Sequence, residues 1–346
     1  MAHMISIGVL GASGYTGIEL VRLLAGHERV RLVGLSADRH AGKELAELFP
    51  SVAGLKLPRM QKIDELDFNK FDAVFCCLPH AATQAVVKTM PADLIKIDLS
   101  ADFRLRDIAT YEQWYGTHQA PDLQPKAIYG LTEFARASLR AATLIANPGC
   151  YPTAAQLALR PLLEAGLIFP DGIIIDAKSG VSGAGRTLKE NVLAAEVQEG
   201  FAAYGLGGHR HQPEIEQGLS DSAGGAVTVT FTPHLLPINR GILETIYISM
   251  PAGMTVTGLR EALQRRYERE PFVQVLPEGV TASTRFVRGS NNCHLSVHPG
   301  RTPNTAIICS ALDNLIKGAS GQAVQNFNAC FGILETTGLP RVAMFP

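Results

Sequence analysis

Short unbroken apolar runs alternate along this chain with stretches in which apolar residues recur every three or four positions. Ile5-Ser6-Ile7-Gly8-Val9-Leu10 reads as a buried strand. Ile18, Leu20, Val21, Leu23 and Leu24 then fall at helical spacing, and residues 30–36 read as a second strand. That order predicts a β–α–β unit. Further strands are expected at residues 73–78, 94–98 and 143–146, with a helical stretch at 81–89 and a helix over 153–164 ending near Gly166. The second half reads differently. Strands are expected at 172–178, 226–232, 241–250, 272–276, 292–298 and 305–310, a helix at 256–268, and a long final helix at 311–330. An α/β fold follows, its second half a mixed sheet with helices on one face. The open face suits an oligomer interface.

Composition narrows the class. A chain of 346 residues predicts two domains. Hydrophobic residues make up 46% and charged residues 18%, as in a soluble enzyme, and the net charge of −1 offers no basic excess for nucleic acid or an anionic membrane. No apolar run is long enough to span a bilayer. The start runs straight into a strand and a glycine loop, so no signal peptide is expected, and Met1-Ala2-His3 before Met4 is set aside as an expression scar. The six cysteines form no C-x-x-C pair, which predicts a reduced, cytoplasmic protein.

The chemistry concentrates at Asn147-Pro148-Gly149-Cys150-Tyr151-Pro152-Thr153. Pro148 and Gly149 make a turn between a strand and a helix, so Cys150 sits at or just before a helix N-terminus. The N–H groups and dipole there favour an anion, which predicts a lowered thiol pKa and a nucleophilic thiolate. At the chain start, Gly11-Ala12-Ser13-Gly14-Tyr15-Thr16-Gly17 has the spacing G-x-x-G-x-x-G rather than G-x-G-x-x-G. Its place between strand and helix still predicts a pyrophosphate site. After the second strand, Ser36 and Arg39 could hold a 2′-phosphate, while Asp38 would oppose one if it faced inward. NADP(H) is the favoured cofactor.

Pro79 and His80 end a strand where doubly wound sheets place ligand loops. Arg104, in Leu99-Ser100-Ala101-Asp102-Phe103-Arg104, could grip an anion or form a surface ion pair. Ser182 and Gly183 lie in a glycine–serine loop that ends in Arg186, a second anion anchor. Of the ten histidines, His209 and His211 are candidates for the base, with Glu214 able to orient one of them. Spacing alone does not choose between the two. Cys293 and His294 are adjacent on a strand and face opposite ways, so no metal site is expected.

Taken with Phe231-Thr232-Pro233-His234-Leu235, Arg240-Gly241-Ile242-Leu243-Glu244-Thr245 and Asp313-Asn314-Leu315-Ile316-Lys317-Gly318-Ala319, these segments resemble the N-acetyl-γ-glutamyl-phosphate reductase family over nearly the whole chain. These are acyl-phosphate reductases of arginine biosynthesis, related to aspartate-semialdehyde dehydrogenase. The resemblance implies an NADP-binding Rossmann domain at 4–147, completed by 313–346, and a catalytic and oligomerisation domain at 148–312. It implies Cys150 as nucleophile and His209 as acid/base. Gly11, Ser13, Gly14, Tyr15, Thr16, Gly17, Ser36, Arg39, Pro79, Ser182, Gly183 and Asn314 would touch the cofactor. Ser100, Arg104, Arg186 and Glu214 would touch the acyl-phosphate substrate. A cytoplasmic homodimer or homotetramer is expected. The rival readings are the same reaction on an aminoadipate-type substrate of a lysine pathway, a Cys150–His209 hydrolase or transferase, and an NADP-binding redox sensor.

Overall fold

The structure, a computed structural model, describes residues 4–188 and 190–345. Met1-Ala2-His3, set aside above, lies outside them. Among the described residues the strands form two seven-stranded sheets. The first comprises β1 (Ile5–Leu10), β2 (Val30–Ser36), β3 (Met60–Gln61), β4 (Ala73–Cys76), β5 (Ile95–Asp98), β6 (Ala127–Tyr129) and β7 (Leu144–Ala146). Their order is β3-β2-β1-β4-β5-β7-β6, and every pairing is parallel. A parallel sheet is covered on both faces, so its central strands run largely apolar rather than alternating. All four residues of β4 are buried, for example. Strand order reverses between β1 and β4, which makes their carboxyl ends a ligand crevice.

Gly11 follows β1 with φ +77, and a Cβ there would lie 2.4 Å from the Cys77 carbonyl oxygen. Only glycine allows the turn to run so close to the chain leaving β4. The helix Tyr15–Ala25 then begins. Near the other end of the chain, the helix Gly321–Cys330 returns to this sheet, almost all of it buried. Most of its buried polar side chains find partners inside, although Gln322 Oε1 has none among the described residues. Asn326 accepts from Thr132 Oγ1 at 2.6 Å and donates to Asn147 Oδ1 at 3.0 Å, and Asn328 Oδ1 lies 2.9 Å from His27 Nε2. A buried amide without partners would cost about 1–3 kcal/mol, so these bonds fix where the helix can dock.

The second sheet comprises β8 (Ile173–Gly180), β9 (Ala202–Ala203), β10 (Val229–Leu236), β11 (Ile242–Ser249), β12 (Val273–Val275), β13 (Cys293–Pro299) and β14 (Thr305–Leu312). Its order is β12-β13-β14-β11-β8-β10-β9. It is mixed: β8 with β10 and β12 with β13 are parallel, the other pairs antiparallel. Alternating burial along β11 marks one covered and one open face. The helices Cys150–Glu164, Gln212–Ala223 and Val256–Tyr267 pack with this sheet or on one another. Tyr267 locks two of them by donating to the Leu157 carbonyl at 2.6 Å.

The final helix differs from expectation. Ala311 and Leu312 continue β14, paired with β11 and β13. Asp313 then ends the strand, its Oδ1 accepting from the N–H groups of Leu315 and Ile316. A π-helical turn, Ile316–Ser320, precedes the α-helix. The chain divides into two units: the first runs to Pro148 and includes Ala319–Leu339, and the second takes Gly149–Gly318 and the residues from Pro340 on. Segment 313–318 and the tail therefore belong with the second unit, whereas the sequence reading joined them to the first.

Candidate active site

Cys150 is the first residue of its helix and is half-buried. Gly149 is the N-cap, extended at φ −69 and ψ 159, with no side chain capping the helix and no acidic residue in its first turn. The first-turn N–H groups are therefore not claimed by a side-chain cap. Two contacts place this turn within the second unit. Glu214, 1% exposed, accepts the Gly149 N–H on Oε1 at 2.8 Å. Gly318 lies against the cysteine itself: a Cβ on it would stand 2.7 Å from Cys150 Cβ. Glu214, expected to orient an imidazole or to touch the substrate, bonds the backbone just before Cys150.

The other thiols have different surroundings. Burial pushes Cys76 well up and Cys77 to about 12, and it raises Cys309 and Cys330 as well. None of these four begins a helix.

His209 stands in a nest of rings. The Tyr151 ring meets it edge-on at 5.7 Å, Tyr204 at 5.5 Å, Phe231 at 5.3 Å and His211 at 5.0 Å. The Tyr151 and Tyr204 hydroxyls lie 3.1 Å apart. Tyr151 directly follows Cys150, so the nest sets His209 against the ring of the cysteine's neighbour. The His211 N–H donates to His209 Nδ1 at 3.1 Å, so the neutral ring carries its proton on Nε2. Burial first, then the Arg210 charge, lowers its pKa to about 4. At neutral pH it is an uncharged imidazole. His211 precedes the Gln212–Ala223 helix and packs on Tyr151 at 5.8 Å.

Ser182 and Asn314 are brought together across 132 residues of sequence. The Asn314 Nδ2 donates to Ser182 Oγ at 2.9 Å and its Oδ1 accepts the Gly241 N–H at 2.7 Å. Gly183 occupies the same 3-10 turn, and Arg186 is exposed beyond it.

In the first unit, Gly14 is the N-cap of the Tyr15–Ala25 helix. It is extended, without a side-chain cap and with no acidic residue in the first turn. Tyr15, Thr16 and Gly17 form that turn, with Ser13 half-buried just ahead of it. The Thr16 carbonyl accepts from Ser320 Oγ at 2.9 Å. Ser36 is 1% exposed, and its Oγ accepts the Gly11 N–H at 3.2 Å. It steadies the glycine turn instead of standing open beside a phosphate. Arg39 is exposed and has no ion pair among the described residues, while Asp38 accepts the Ile63 N–H at 3.3 Å. The residues thus fit a dinucleotide with a 2′-phosphate: an open helix N-terminus, a close-approach glycine and an unpaired guanidinium beyond β2.

Pro79 lies exposed after β4. His80 accepts the Ala101 N–H on Nδ1 at 3.0 Å. Ser100 and Arg104, expected at the substrate, are largely committed inside the first unit. The Ser100 hydroxyl donates to Asp98 at 2.8 Å and accepts the Asp102 N–H at 3.1 Å. Burial and Asp102 raise Asp98 to about 7. Arg104, 5% exposed, donates from Nε to the Asn147 carbonyl at 2.8 Å and from Nη2 to Leu99 at 2.9 Å. Gly318 and Tyr204 were missed from sequence. Gly318 stood inside a recognised segment, but only the fold shows that it abuts Cys150. No cluster of three metal-ligating residues and no helix long and apolar enough to cross a membrane occur among the described residues.

Two family models match. The semialdehyde dehydrogenase NAD binding domain covers residues 6–142, and the semialdehyde dehydrogenase dimerisation domain covers residues 150–314. A protein of Arabidopsis thaliana named probable N-acetyl-gamma-glutamyl-phosphate reductase, chloroplastic, is 55% identical over 99% of this chain and 86% of its own length. The N-acetyl-gamma-glutamyl-phosphate reductase of Rhodospirillum rubrum is 54% identical over 100% of both chains. Among solved structures, aspartate semialdehyde dehydrogenase II of Vibrio cholerae matches with a TM-score of 0.73 at 16% identity, over 95% of this chain and 99% of that one. Aspartate semialdehyde dehydrogenase of Candida albicans, determined with NADP, matches with a TM-score of 0.63 at 15% identity, over 94% of this chain and 98% of that one. At those identities the structures share the fold.

Proposed function

Because the chain belongs to the N-acetyl-γ-glutamyl-phosphate reductase family of semialdehyde dehydrogenases, we propose that it works through a thioester on Cys150. The protein is an NADP-dependent acyl-phosphate reductase of L-arginine biosynthesis. It converts N-acetyl-L-glutamyl 5-phosphate to N-acetyl-L-glutamate 5-semialdehyde and phosphate. The relatives' names give no support to the longer, lysine-pathway substrate.

The observation that carries the mechanism is Cys150 at the first position of a helix without a side-chain cap, its turn held by Glu214 and Gly318. The helix N-terminus stabilises the thiolate, which attacks the acyl carbon as the C–O bond to phosphate breaks. Arg186 steadies the departing phosphate, and Arg104, expected there too, is committed to two carbonyl bonds. Bound NADPH supplies the hydride that turns the thioester into a thiohemiacetal. Backbone N–H groups at the start of the Cys150 helix hold the oxyanion. Its collapse returns the thiolate and releases the aldehyde. The neutral His209 ring, proton on Nε2, hydrogen-bonds the substrate oxygen and exchanges its proton. Gly11, Gly14 and the first turn of the Tyr15–Ala25 helix hold the pyrophosphate, Arg39 the 2′-phosphate, and Ser182 with Asn314 the carboxamide end. The working unit is a cytoplasmic homo-oligomer, in keeping with the dimerisation-domain match.

The test is reduction of NADP⁺ by N-acetyl-L-glutamate 5-semialdehyde, with and without phosphate. Phosphate-dependent reduction that disappears in Cys150→Ser supports the assignment. Reduction independent of phosphate would mean a hydrolytic aldehyde dehydrogenase and would overturn it.

A further inference from the structure

We propose that a cavity beneath the carboxyl-terminal segment of the second unit binds a small organic carboxylate with an aromatic or apolar body. The inference does not rest on the reaction above. The segment from Pro340 is clasped to the sheet edge at three points. The Asn291 N–H donates to the Pro340 carbonyl, Asn292 Nδ2 to the Arg341 carbonyl, and the Met344 N–H to the Arg288 carbonyl, each at 2.8 Å. The recess beside this clasp is open to solvent, with Phe286, Val342 and Phe345 exposed on its wall, and measures about 360 Å³, within the range of small-molecule sites. Its floor is polar and built. Gln274 and His294 are register partners across β12 and β13, and Asn292 is 4% exposed and His294 9%.

The charge at this site is one-sided. Arg285 and Arg341 both line the cavity, no carboxylate does, and neither guanidinium has an ion pair among the described residues. Two planar guanidinium forks with no acid paired to them among the described residues match a carboxylate, which each can grip through paired N–H donors. The wall specifies the rest of the ligand. Phe286 and Phe345 are stacked at 6.1 Å and 15°, and the Arg285 guanidinium lies 5.9 Å over the Phe345 ring. A flat apolar group would cover these rings, whereas inorganic phosphate would satisfy the arginines and leave the rings bare. Burial keeps His294 uncharged, so it offers hydrogen bonding without added charge.

The probe is 4-fluorophenylacetate, titrated into the full chain and followed by fluorine NMR. Saturable binding is expected, weakened about tenfold or more by Arg341→Gln and by Arg285→Gln, since each removes a charge-assisted contact. Rising sodium chloride should weaken it too. Phosphate-dependent turnover should be unchanged in both variants. If Arg341→Gln does not fold, Arg285→Gln on its exposed turn carries the test. The proposal falls if the probe shows no saturable binding, as it would were the cavity filled by a second copy of the chain. It also falls if binding survives both substitutions, or if inorganic phosphate displaces the probe at equal concentration.

Discussion

Two helices of this protein begin in the same way and, on the proposed mechanism, do different work. The Tyr15–Ala25 helix follows a strand of the first unit, and the Cys150–Glu164 helix opens the second. Both have an extended glycine N-cap, Gly14 and Gly149, both lack a side-chain cap, and neither has an acidic residue in its first turn. Two other helices are closed off by a side chain, although Thr132–Leu139, Gln212–Ala223 and Gly321–Cys330 are not. Asp107 caps Ile108–Tyr115 by accepting the Thr110 N–H at 2.8 Å, and Thr255 caps Val256–Tyr267 by accepting from Gly258 at 3.0 Å. A glycine N-cap gives up only about a few tenths of a kcal/mol against Ser, Thr, Asn or Asp and leaves the first-turn N–H groups without a side-chain partner, open to an anion. At the first helix that anion arrives with the cofactor. On the proposed mechanism the second receives the chain's own, the Cys150 thiolate. The surroundings differ accordingly. A Cβ at Gly14 would meet only the Gly11 carbonyl oxygen, at 3.5 Å, whereas the second turn is gripped by Glu214 and crowded by Gly318. A site for a visiting anion needs room, and a resident nucleophile needs a fixed position.

The comparison breaks first at the resident anion. Cys150→Ser should lower phosphate-dependent turnover by about a thousandfold or more, while NADPH binding measured by fluorescence stays intact. Next comes its fixed position. Gly318→Ala must push on Cys150 Cβ, so kcat should fall about a hundredfold with little change in KM. At the visiting anion, Arg39→Gln should raise KM for NADPH about tenfold and leave NADH nearly unaffected. Glu214→Gln keeps an acceptor for the Gly149 N–H but loses its charge, so kcat should drop about tenfold or less.

The smallest effect lies at neither N-terminus and sharpens the contrast between a used and an unused carboxyl. Glu244 is fully buried on β11, neither oxygen has a partner, and burial raises its pKa well above 4.5. A carboxyl raised in the folded state stabilises most below its unfolded pKa and loses that stability as pH rises through the folded value. Glu244→Met should therefore be more stable than the wild type by about 1–3 kcal/mol at pH 8, with a smaller gain at pH 5. Urea unfolding at the two pH values measures it.

Much of this was legible because local rules agreed. Residues 5–10 and 30–36 read as strands and are β1 and β2, since a parallel strand buried on both faces is a plain apolar run. The Cys150 turn was legible because proline and glycine between strand and helix leave few alternatives. The final segment misled because Ala311 and Leu312 suit either state, and the strand pairing with β11 and β13 decided them. The Gln212–Ala223 helix was seen only as a polar motif, since its buried Glu214, Ile215, Gly218 and Leu219 are too few for a strong apolar stripe. Contacts such as Glu214 with Gly149, 65 residues apart, have no local signature at all.

The central claim is a covalent acyl group on Cys150, and trapping it is the most direct test. The protein would be mixed with N-acetyl-L-glutamyl 5-phosphate in the absence of NADPH, quenched in acid, digested and mapped by mass spectrometry. The account predicts a hydroxylamine-labile N-acetylglutamyl group on the peptide that contains Cys150, with one equivalent of phosphate released. An unmodified Cys150 peptide from an enzyme that turns over normally when NADPH is added would contradict it.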